Sequence, residues 1–377
     1  MKNRSLKIAI MARSLGMRNG GVYRYVYNLL SELDRRAEAD GLDIYILHNE
    51  QALQKQFPHS RKIYLYGNHS YCYRLLFDYV YSLFYLARLR VDVALYPKNI
   101  IPFTHMLLRA HKINTILDLG HFDKELRAYR FWDTLYAKAF MKFSCRLAWK
   151  TVAISHNTKR DLIQILQIPS EKIEVIHLGI EEKFRKETRN HAVLKKYHVQ
   201  VPFLFYNGSI SPRKNMMRVL QAFGQLQENI PHTLYITGSL TWGAEAIYAY
   251  IEQHLRERVK IVGFLEEEEL IAFYGAADLF LYPSLFEGFG LPILEAQSCG
   301  CPVLTSNTTA CPEVAGAGAH LVDPYSIEEI RAGIIKILKE EGYRQQLVEK
   351  GFHNTRRFGW DNTTDAFVKL CQSLKSE

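Results

Sequence analysis

The feature that most constrains the fold is a repeated alternation of short apolar runs, rich in β-forming residues, with segments of helical periodicity. The pattern begins at residue 6 and restarts at residue 202 after a break. Strands that alternate with helices are typical of a parallel sheet covered on both faces, so the fold class is α/β. The predicted strands are 6–11, 43–47, 91–96, 114–118, 151–155, 172–176, 202–206, 232–237, 259–262, 279–282 and 302–305.

The break between the two halves is a charged, strand-poor segment at residues 179–200. A chain of 377 residues is long enough for two domains, each with its own core. We therefore predict two Rossmann-like domains that face each other across a central cleft. Ligands of such sheets bind beyond the carboxyl ends of the strands, so we expect the functional site in that cleft.

Composition excludes several other classes of protein. With 12 Pro, 22 Gly and 48% hydrophobic residues, the chain is neither collagen-like nor low-complexity. Its longest apolar stretch, residues 71–89, is interrupted by Arg74, Asp78 and Arg88, which argues against a membrane span. The N-terminus lacks a small-residue cleavage site, so we interpret it as a first strand rather than a signal peptide. The six cysteines form no C-x-x-C pair, which favours buried thiols in a reducing cytoplasm over a zinc site.

Charge is unevenly distributed along the chain. Residues 1–200 carry 33 Lys and Arg against 18 Asp and Glu, whereas residues 201–377 carry 15 against 21. The stretch 70–150 combines 13 basic residues with many aromatic ones, a mixture that suits an anionic membrane surface. The alternative is a set of helices with solvated basic faces and aromatic core faces. No nucleic-acid-binding motif is present, so we expect no nucleic-acid partner.

The most informative motif is PSLFEGFGLPILEAQSCGCPVLTS at residues 283–306. Glu287 lies in a glycine-rich loop after a predicted strand, and Pro292 suits the first turn of a helix. Exposed N–H groups at such a helix start form an anion site. A second carboxylate, Glu295, could accept hydrogen bonds from vicinal hydroxyls. Together these features describe a nucleotide-sugar pocket; the alternative is a capped turn with two surface glutamates.

Two further segments follow predicted strands. In YNGSISPRKN, Arg213 and Lys214 could reach a diphosphate, or could be two exposed basic residues of a turn. The Gly20-Gly21 pair at the first strand-to-helix turn is a candidate anion or sugar cradle. No G-x-G-x-x-G motif is present, which disfavours NAD binding.

These motifs together resemble the retaining glycosyltransferases of family four, which have the GT-B fold. The match is most specific over residues 283–324, which end in PEVAGAGAHLVDP, and extends to SPRKN, VAISHNTKRDL and VIHLGI. RRFGWDNTTDAF looks like the closing helix of that family, which crosses back onto the first domain. The resemblance thus implies an acceptor-binding domain at 1–178, a nucleotide-sugar-binding domain at 179–355 and a returning helix at 356–377.

The resemblance also implies roles for the loop and helix around Glu287. Glu287 would face the hydroxyls of the donor sugar, and Glu295 would hold the ribose. The backbone of Phe289, Gly290 and Leu291 would line the sugar and diphosphate.

Other positions would bind the donor from neighbouring loops. By the same resemblance, Arg213 and Lys214 would neutralise the diphosphate, beside Gly208 in the same segment. Gly20 and Gly21 would lie beneath the phosphates, and Gly263 and Phe264 would flank the base.

Two departures from the family pattern concern the same pocket. Many relatives carry His-Asp after the fourth strand, whereas this chain reads Leu117-Asp118, with a histidine only at His121. Asp118 or His121 would then take over the contact with the sugar. Some relatives also place an Arg where this chain has Ser209, so Arg213 and Lys214 would carry the diphosphate charge alone.

The resemblance predicts transfer of a hexose from a nucleoside-diphosphate sugar, GDP-mannose before UDP-glucose, to a glycan or lipid-linked acceptor of a cell-surface polysaccharide. No Asp-x-Asp motif follows a strand, so we expect no metal and no other cofactor. The expected location is the cytoplasm or the inner face of the plasma membrane. The alternatives are another GT-B enzyme, such as a soluble glycan synthase or a nucleotide-sugar epimerase, and a non-catalytic nucleotide-sugar-binding protein.

Overall fold

The computed structural model describes residues 5–16, 20–50, 53, 55–65, 71–123, 126, 131–185, 190–238 and 245–375. The chain divides into two compact units. Unit 1 comprises Met1–Phe122, Phe131–Gly179 and Trp360–Glu377, and unit 2 comprises Asp123–Arg130 and Ile180–Gly359. The chain therefore crosses from unit 1 to unit 2 after Gly179 and returns at Trp360.

The elements of the first half are strands and helices in alternation. In chain order they are β1 Leu6–Met11, α1 Gly21–Arg36, β2 Leu42–His48, β3 Arg61–Tyr64, α2 Tyr71–Leu76, α3 Ser82–Leu89, β4 Val93–Tyr96, β5 His111–Ile116, α4 Phe131–Leu147, β6 Lys150–Ala153, α5 His156–Gln164 and β7 Ile173–Val175. A π-helical turn, Phe77–Tyr81, joins α2 to α3 as one continuous helix.

The second half repeats the alternation. Its elements are α6 His191–Lys196, β8 Phe203–Asn207, α7 Met216–Gly224, β9 Thr233–Thr237, α8 Glu245–His254, β10 Val259–Gly263, α9 Glu267–Ala276, β11 Leu279–Tyr282, α10 Leu291–Ser298, β12 Val303–Ser306, α11 Cys311–Ala315, β13 Ala319–Val322, α12 Ile327–Lys339, α13 Glu341–Thr355 and α14 Trp360–Gln372.

Unit 1 is built on a seven-stranded sheet in the order β3-β2-β1-β4-β5-β6-β7, with every pairing parallel. The strand order reverses between β1 and β4, which pair through Ile8 and Val93. Helices on both faces bury the strands, which explains why β1 and β4 read as continuous apolar runs. The structure adds β3, which the sequence pattern did not predict, and places β5 at His111–Ile116 instead of 114–118.

Unit 2 is built on a six-stranded parallel sheet in the order β10-β9-β8-β11-β12-β13. Its reversal lies between β8 and β11, where Phe205 pairs with Phe280. Both side chains are fully buried. Strand β13 was not predicted from the sequence. The α/β class and the two parallel sheets of the sequence prediction are confirmed.

The last helix, α14, packs against α1 within unit 1. Arg36 pairs with Asp365 at 2.5 Å, and the Thr363 hydroxyl donates to the carbonyl of His177 at 2.8 Å. Gly179 lies so close to Trp360 that a Cβ atom there would come within 2.5 Å of the Trp360 backbone nitrogen. A glycine is therefore required where the chain passes the start of α14.

None of the helices in the described part of the chain combines the length and the apolar character needed to cross a membrane. The five cysteines whose side chains are described are free thiols.

Candidate functional site

Most candidate residues lie at the carboxyl edge of the unit 2 sheet. β8 ends at Asn207 and β11 ends at Tyr282, and these two strands are neighbours at the reversal of strand order. The loop after β8 carries Arg213 and Lys214 in a short 3-10 turn, and the loop after β11 carries Glu287. The topology thus brings Glu287 next to Arg213 and Lys214, from which it is 74 and 73 positions away in the sequence. This is the position at which doubly wound sheets bind ligands.

These three residues form one ion-paired cluster, here called the Glu287 cluster (Arg213, Lys214 and Glu287). The Arg213 Nη1 atom donates to Glu287 Oε2 at 2.9 Å, and the Lys214 Nζ atom donates to Glu287 Oε1 at 2.6 Å. Side-chain exposure is 19% for Arg213, 9% for Lys214 and 8% for Glu287. With one carboxylate between two cations, the cluster carries a net charge of +1.

Burial and neighbouring charge act in opposite directions on Glu287. Burial by itself would raise the pKa of this carboxyl group, but the charges of Arg213 and Lys214, with the hydrogen bond from Lys214, lower it to about 2. Burial also lowers the pKa of Lys214, against the opposing effect of Glu287. The carboxylate is therefore ionised at neutral pH and holds both cations at the sheet edge.

Two tyrosines that sequence reasoning missed hold Lys214 in place. The Tyr206 hydroxyl donates to the backbone carbonyl of Lys214 at 2.9 Å. The Lys214 Nζ atom donates to the Tyr282 hydroxyl and lies 4.5 Å from the centroid of that ring. Both tyrosines are fully buried at strand ends, where their polar tips need partners. Their position at the ends of β8 and β11 was the available signal.

Glu295 lies in the second turn of α10 and is buried. Its Oε2 atom accepts a hydrogen bond from the Tyr274 hydroxyl at 3.0 Å, and that hydroxyl accepts from the Asn207 side-chain amide at 2.9 Å. Asn207 is the last residue of β8, and Tyr274 lies on α9. The chain of hydrogen bonds orients Glu295 from two neighbouring elements. Tyr274 and Asn207 were not identified from the sequence.

The loop before α10 positions the helix start as the sequence indicated. Gly290, the residue preceding the helix, has φ 108°, a conformation that favours glycine, and Pro292 occupies the first turn. Leu291 opens the helix, and Phe289 is buried edge-on against Phe358 at 5.8 Å. No side chain caps the first turn of α10, so the positive end of the helix dipole at its amino end is available to an anion.

The remaining unit 2 candidates follow β8 and β10. Gly208 packs so tightly on Gly238 that a Cβ at Gly238 would lie 2.0 Å from the Gly208 carbonyl oxygen. Gly263 has φ 77° and open space around its Cα, and its carbonyl accepts from the backbone N–H of Gly238 at 2.9 Å. Phe264 is 55% exposed.

Four candidates belong to unit 1. Gly20 precedes α1 with φ 107°, Gly21 opens the helix, and both are exposed with open space around them. Asp118 lies two residues beyond β5 and accepts from the backbone N–H of Gly120 at 3.0 Å. His121 follows in the 3-10 turn Gly120–Phe122 and is partly buried. All four lie beyond the carboxyl ends of β1 and β5, separated in the sheet by β4.

The unit 2 edge can bind an anion. It combines a buried cluster of net charge +1, an uncapped helix start and close backbone approach at glycines. Glu295 adds an oriented hydrogen-bond acceptor. Such an edge suits a phosphorylated ligand that bears hydroxyl groups.

Comparison with known proteins identifies the family of this chain. The family model for glycosyl transferases group 1 matches residues 188–354, and the model for glycosyltransferase family 4 matches residues 19–184. Together the two matches span nearly the whole chain. The protein belongs to the glycosyltransferases that these two models describe, and the resemblance seen in the sequence is confirmed.

Among characterised relatives, the O-antigen chain mannosyltransferase B of Escherichia coli is 32% identical over 229 residues. That alignment covers 59% of this chain and 60% of the relative, so the match spans about three fifths of the relative's length. Among solved structures, sucrose-phosphate synthase from Thermosynechococcus elongatus superposes with a TM-score of 0.80 at 20% identity, covering 98% of this chain and 99% of that one. Anabaena HepE in complex with UDP and glucose gives 0.75 at 16%, covering 99% and 100%. These likenesses show the GT-B fold of two Rossmann-like domains.

Proposed function

We propose that the protein is a retaining glycosyltransferase that moves mannose from GDP-mannose to a glycan or lipid-linked acceptor in cell-surface polysaccharide synthesis. The Glu287 cluster is the main support. Its net positive charge is buried beside the amino end of α10, where a nucleoside diphosphate would be neutralised. The choice of mannose is supported by the E. coli relative, which is named an O-antigen chain mannosyltransferase.

The principal chemical requirement of the reaction is the stabilisation of negative charge on the leaving group. As the bond between the sugar and the diphosphate breaks, negative charge grows on the leaving group. The planar guanidinium of Arg213 and the ammonium group of Lys214 would donate hydrogen bonds to phosphate oxygens, and the amino end of α10 would add the helix dipole. Because Glu287 fixes both cations before the donor arrives, little reorganisation would accompany the reaction.

Other residues would orient the donor. Glu295, held by Tyr274, would accept hydrogen bonds from the ribose hydroxyls, and Phe264 would stack on the base. From unit 1, Gly20 and Gly21 would border the phosphates, and Asp118 or His121 would contact the sugar. These assignments are those that the resemblance to the glycosyltransferase family implies.

We further propose that transfer needs no metal ion, since the fixed cations and helix dipoles would take over its role. The reaction is assigned to the cytoplasm, where free thiols such as those of this chain are stable. Transfer that continues unchanged in excess EDTA would support metal independence. Complete loss in EDTA, restored by Mg²⁺ or Mn²⁺, would refute it.

A thermal-shift panel of nucleotide sugars tests the donor. A donor present at a free concentration of 100 times its Kd stabilises the folded state by about 2.7 kcal/mol. GDP-mannose should therefore raise Tm more than UDP-glucose or GDP alone. The control is Arg256→Gln, which removes an exposed arginine of unit 2 and should leave the shift unchanged. If no nucleotide sugar shifts Tm, the proposal fails.

Product analysis separates transfer from binding. With the donor that shifts Tm, proton NMR of the product should show an α-linked sugar, the configuration it has in GDP-mannose. An inverted anomeric centre would refute the retaining assignment. A donor that binds but is never consumed with any glycan or lipid-linked acceptor would favour the non-catalytic alternative.

A further inference from the structure

Unit 1 carries an unusual concentration of exposed apolar side chains. Among the described residues, thirteen of the twenty large apolar side chains that are exposed lie between positions 75 and 143. Trp132 is 74% exposed, Leu107 75% and Phe84 62%. The other ten are Leu75, Leu76, Val80, Tyr81, Tyr85, Phe103, Met106, Leu135, Tyr136 and Phe143. Monomeric proteins rarely expose so many apolar groups together unless the surface binds something.

These side chains belong to three segments that contact one another. The segments are the continuous helix 71–89, the 3-10 turn Phe103–Leu107, and α4. Tyr79 connects all three: its hydroxyl hydrogen-bonds that of Tyr136 at 2.7 Å, and its ring lies 5.2 Å from that of Phe103. The Thr104 hydroxyl also donates to the Tyr79 carbonyl at 2.9 Å. The segments therefore form one surface, here called the unit 1 apolar surface.

The described charges of the unit 1 apolar surface are mostly positive. Its described cations are Arg88, Lys138, Lys142 and Arg146. Among the side chains that the structure describes in these three segments, the one carboxylate is Asp78, which is already paired with Arg13 at 2.8 Å. An apolar surface bordered by cations is complementary to an anionic interface.

We propose that the unit 1 apolar surface docks onto a bilayer rich in anionic phospholipid. Trp132, Leu107 and Phe84 enter the boundary between headgroups and acyl chains, while the basic side chains contact lipid phosphates. A groove of about 630 Å³ lined by Trp132, Leu135, Tyr136, Ala139 and Phe140 opens at this surface and offers space for part of an acyl chain. A second copy of the chain is disfavoured as the occupant, because pairing this surface with itself brings like charges together.

Flotation of the full chain with vesicles tests the proposal without any donor or transfer step, so the result is independent of the proposed enzymatic activity. The vesicles are phosphatidylglycerol mixed with phosphatidylcholine, or phosphatidylcholine alone. The wild type should float with the anionic vesicles, and binding should weaken as salt rises. Substituting Phe84→Ser, Leu107→Ser and Trp132→Ser together should reduce binding by about 100-fold or more, since three apolar side chains that enter the bilayer are lost.

A matched control replaces three exposed apolar side chains elsewhere: Ile163→Ser, Ile165→Ser and Phe352→Ser, which are 38%, 45% and 45% exposed. This triple variant should float like the wild type. A charge variant, Lys138→Glu with Arg146→Glu, should lose binding to anionic vesicles, whereas Lys339→Glu with Lys350→Glu, both on exposed positions of unit 2, should not.

Four outcomes would overturn the proposal. They are no flotation of the wild type, equal binding to pure phosphatidylcholine, undiminished binding of the Phe84, Leu107 and Trp132 variant, and a dimer in sedimentation velocity that this variant abolishes. The last result would assign the surface to a second copy of the chain. Unchanged Tm and far-UV circular dichroism in the variants should accompany the expected result, since all the substituted apolar side chains are exposed.

Discussion

The carboxyl edges of the two sheets differ in how their polar groups are held. In unit 2, Lys214 and Glu287 are buried and joined by a short hydrogen bond, with buried tyrosines around them. In unit 1, the corresponding edge presents an exposed Gly20-Gly21 turn and the partly buried Asp118. Both sheets are doubly wound and reverse their strand order next to the candidate residues.

The difference indicates that the two sheet edges have different roles in ligand binding. Buried charges interact strongly but are costly to leave unpaired, so they suit a fixed anion site built before the ligand binds. An open glycine turn contributes close backbone approach and little electrostatic energy. We therefore expect substitutions in unit 2 to affect both stability and activity strongly, and substitutions at the unit 1 edge to have smaller effects.

The largest effect should come from Glu287→Ala. Removing the carboxylate leaves Arg213 and Lys214 buried together without their counter-ion, which should cost about 3–5 kcal/mol of stability and more than about 1,000-fold in kcat/KM. Urea unfolding and donor-turnover assays measure the two effects. Added nucleoside diphosphate should restore part of the stability. Wild-type stability in this variant would show that the cluster is not a buried ion pair. The control is Glu257→Ala, which removes a carboxylate at an exposed position.

Lys214→Met separates activity from stability. Glu287 keeps its partner Arg213, so the fold should survive with a smaller loss of stability, while kcat should fall by roughly 100- to 1,000-fold. Lys350→Met, at an exposed position of α13, is the matched control and should be indistinguishable from the wild type. Near-normal turnover by Lys214→Met would show that Lys214 does not neutralise the leaving group.

The pH dependence of stability should report the ion pairs of Glu287. The pKa of this group is about 2 in the folded protein against 4.5 ordinarily, so its contribution, about 3 kcal/mol, is complete above pH 4.5 and is lost as the pH falls towards 2. Urea unfolding of the wild type and of Glu287→Gln between pH 6 and pH 3 gives the difference. The two curves should converge at low pH, and a constant gap would contradict the paired carboxylate.

A smaller effect is expected for Tyr274→Phe, which removes one hydrogen bond to Glu295. The loss of about 1 kcal/mol should raise KM for the donor by about fivefold and leave kcat nearly unchanged. If kcat falls and KM does not, Glu295 acts on the transition state rather than on the bound nucleotide.

The smallest effects on turnover are expected at the unit 1 edge, where two adjacent glycines control for each other. Gly20 has φ 107°, so Gly20→Ala should destabilise the protein by about 1–3 kcal/mol. Gly21 opens α1 with no atom within 4 Å of a new Cβ, so Gly21→Ala should be neutral in stability. A rise in donor KM in Gly21→Ala would support a phosphate contact there. Equal stability of the two variants would contradict the strained turn.

Much of the fold was predictable because period and composition are local signals. The apolar runs that become β1, β4, β8 and β11 are buried on both faces and can hardly be interpreted otherwise. The sequence failed at β3, whose RKIY run has only four residues and no fully buried member, and at β13, a four-residue strand directly after a glycine-rich turn. Short strands at sheet edges lack the periodicity on which such predictions rest.

The site was predictable only in part. Arg213, Lys214 and Glu287 lie in motifs that can be recognised in the sequence, because glycines, a proline and charged residues follow a predicted strand. Their joint ion pairing was not predictable, because it depends on β8 and β11 being neighbours, which is a property of the fold. The role of Tyr274 was not predictable either, since a tyrosine among apolar helix residues is normally interpreted as a core residue.

The most direct test is calorimetric titration of the wild type and of Arg213→Gln with nucleoside diphosphates and monophosphates, GDP against GMP and UDP against UMP. The wild type should bind the diphosphate of the preferred base at least about tenfold more tightly than its monophosphate, and Arg213→Gln should remove most of this preference. Equal preference in both proteins would place the terminal phosphate away from the Glu287 cluster and contradict the proposed role of Arg213.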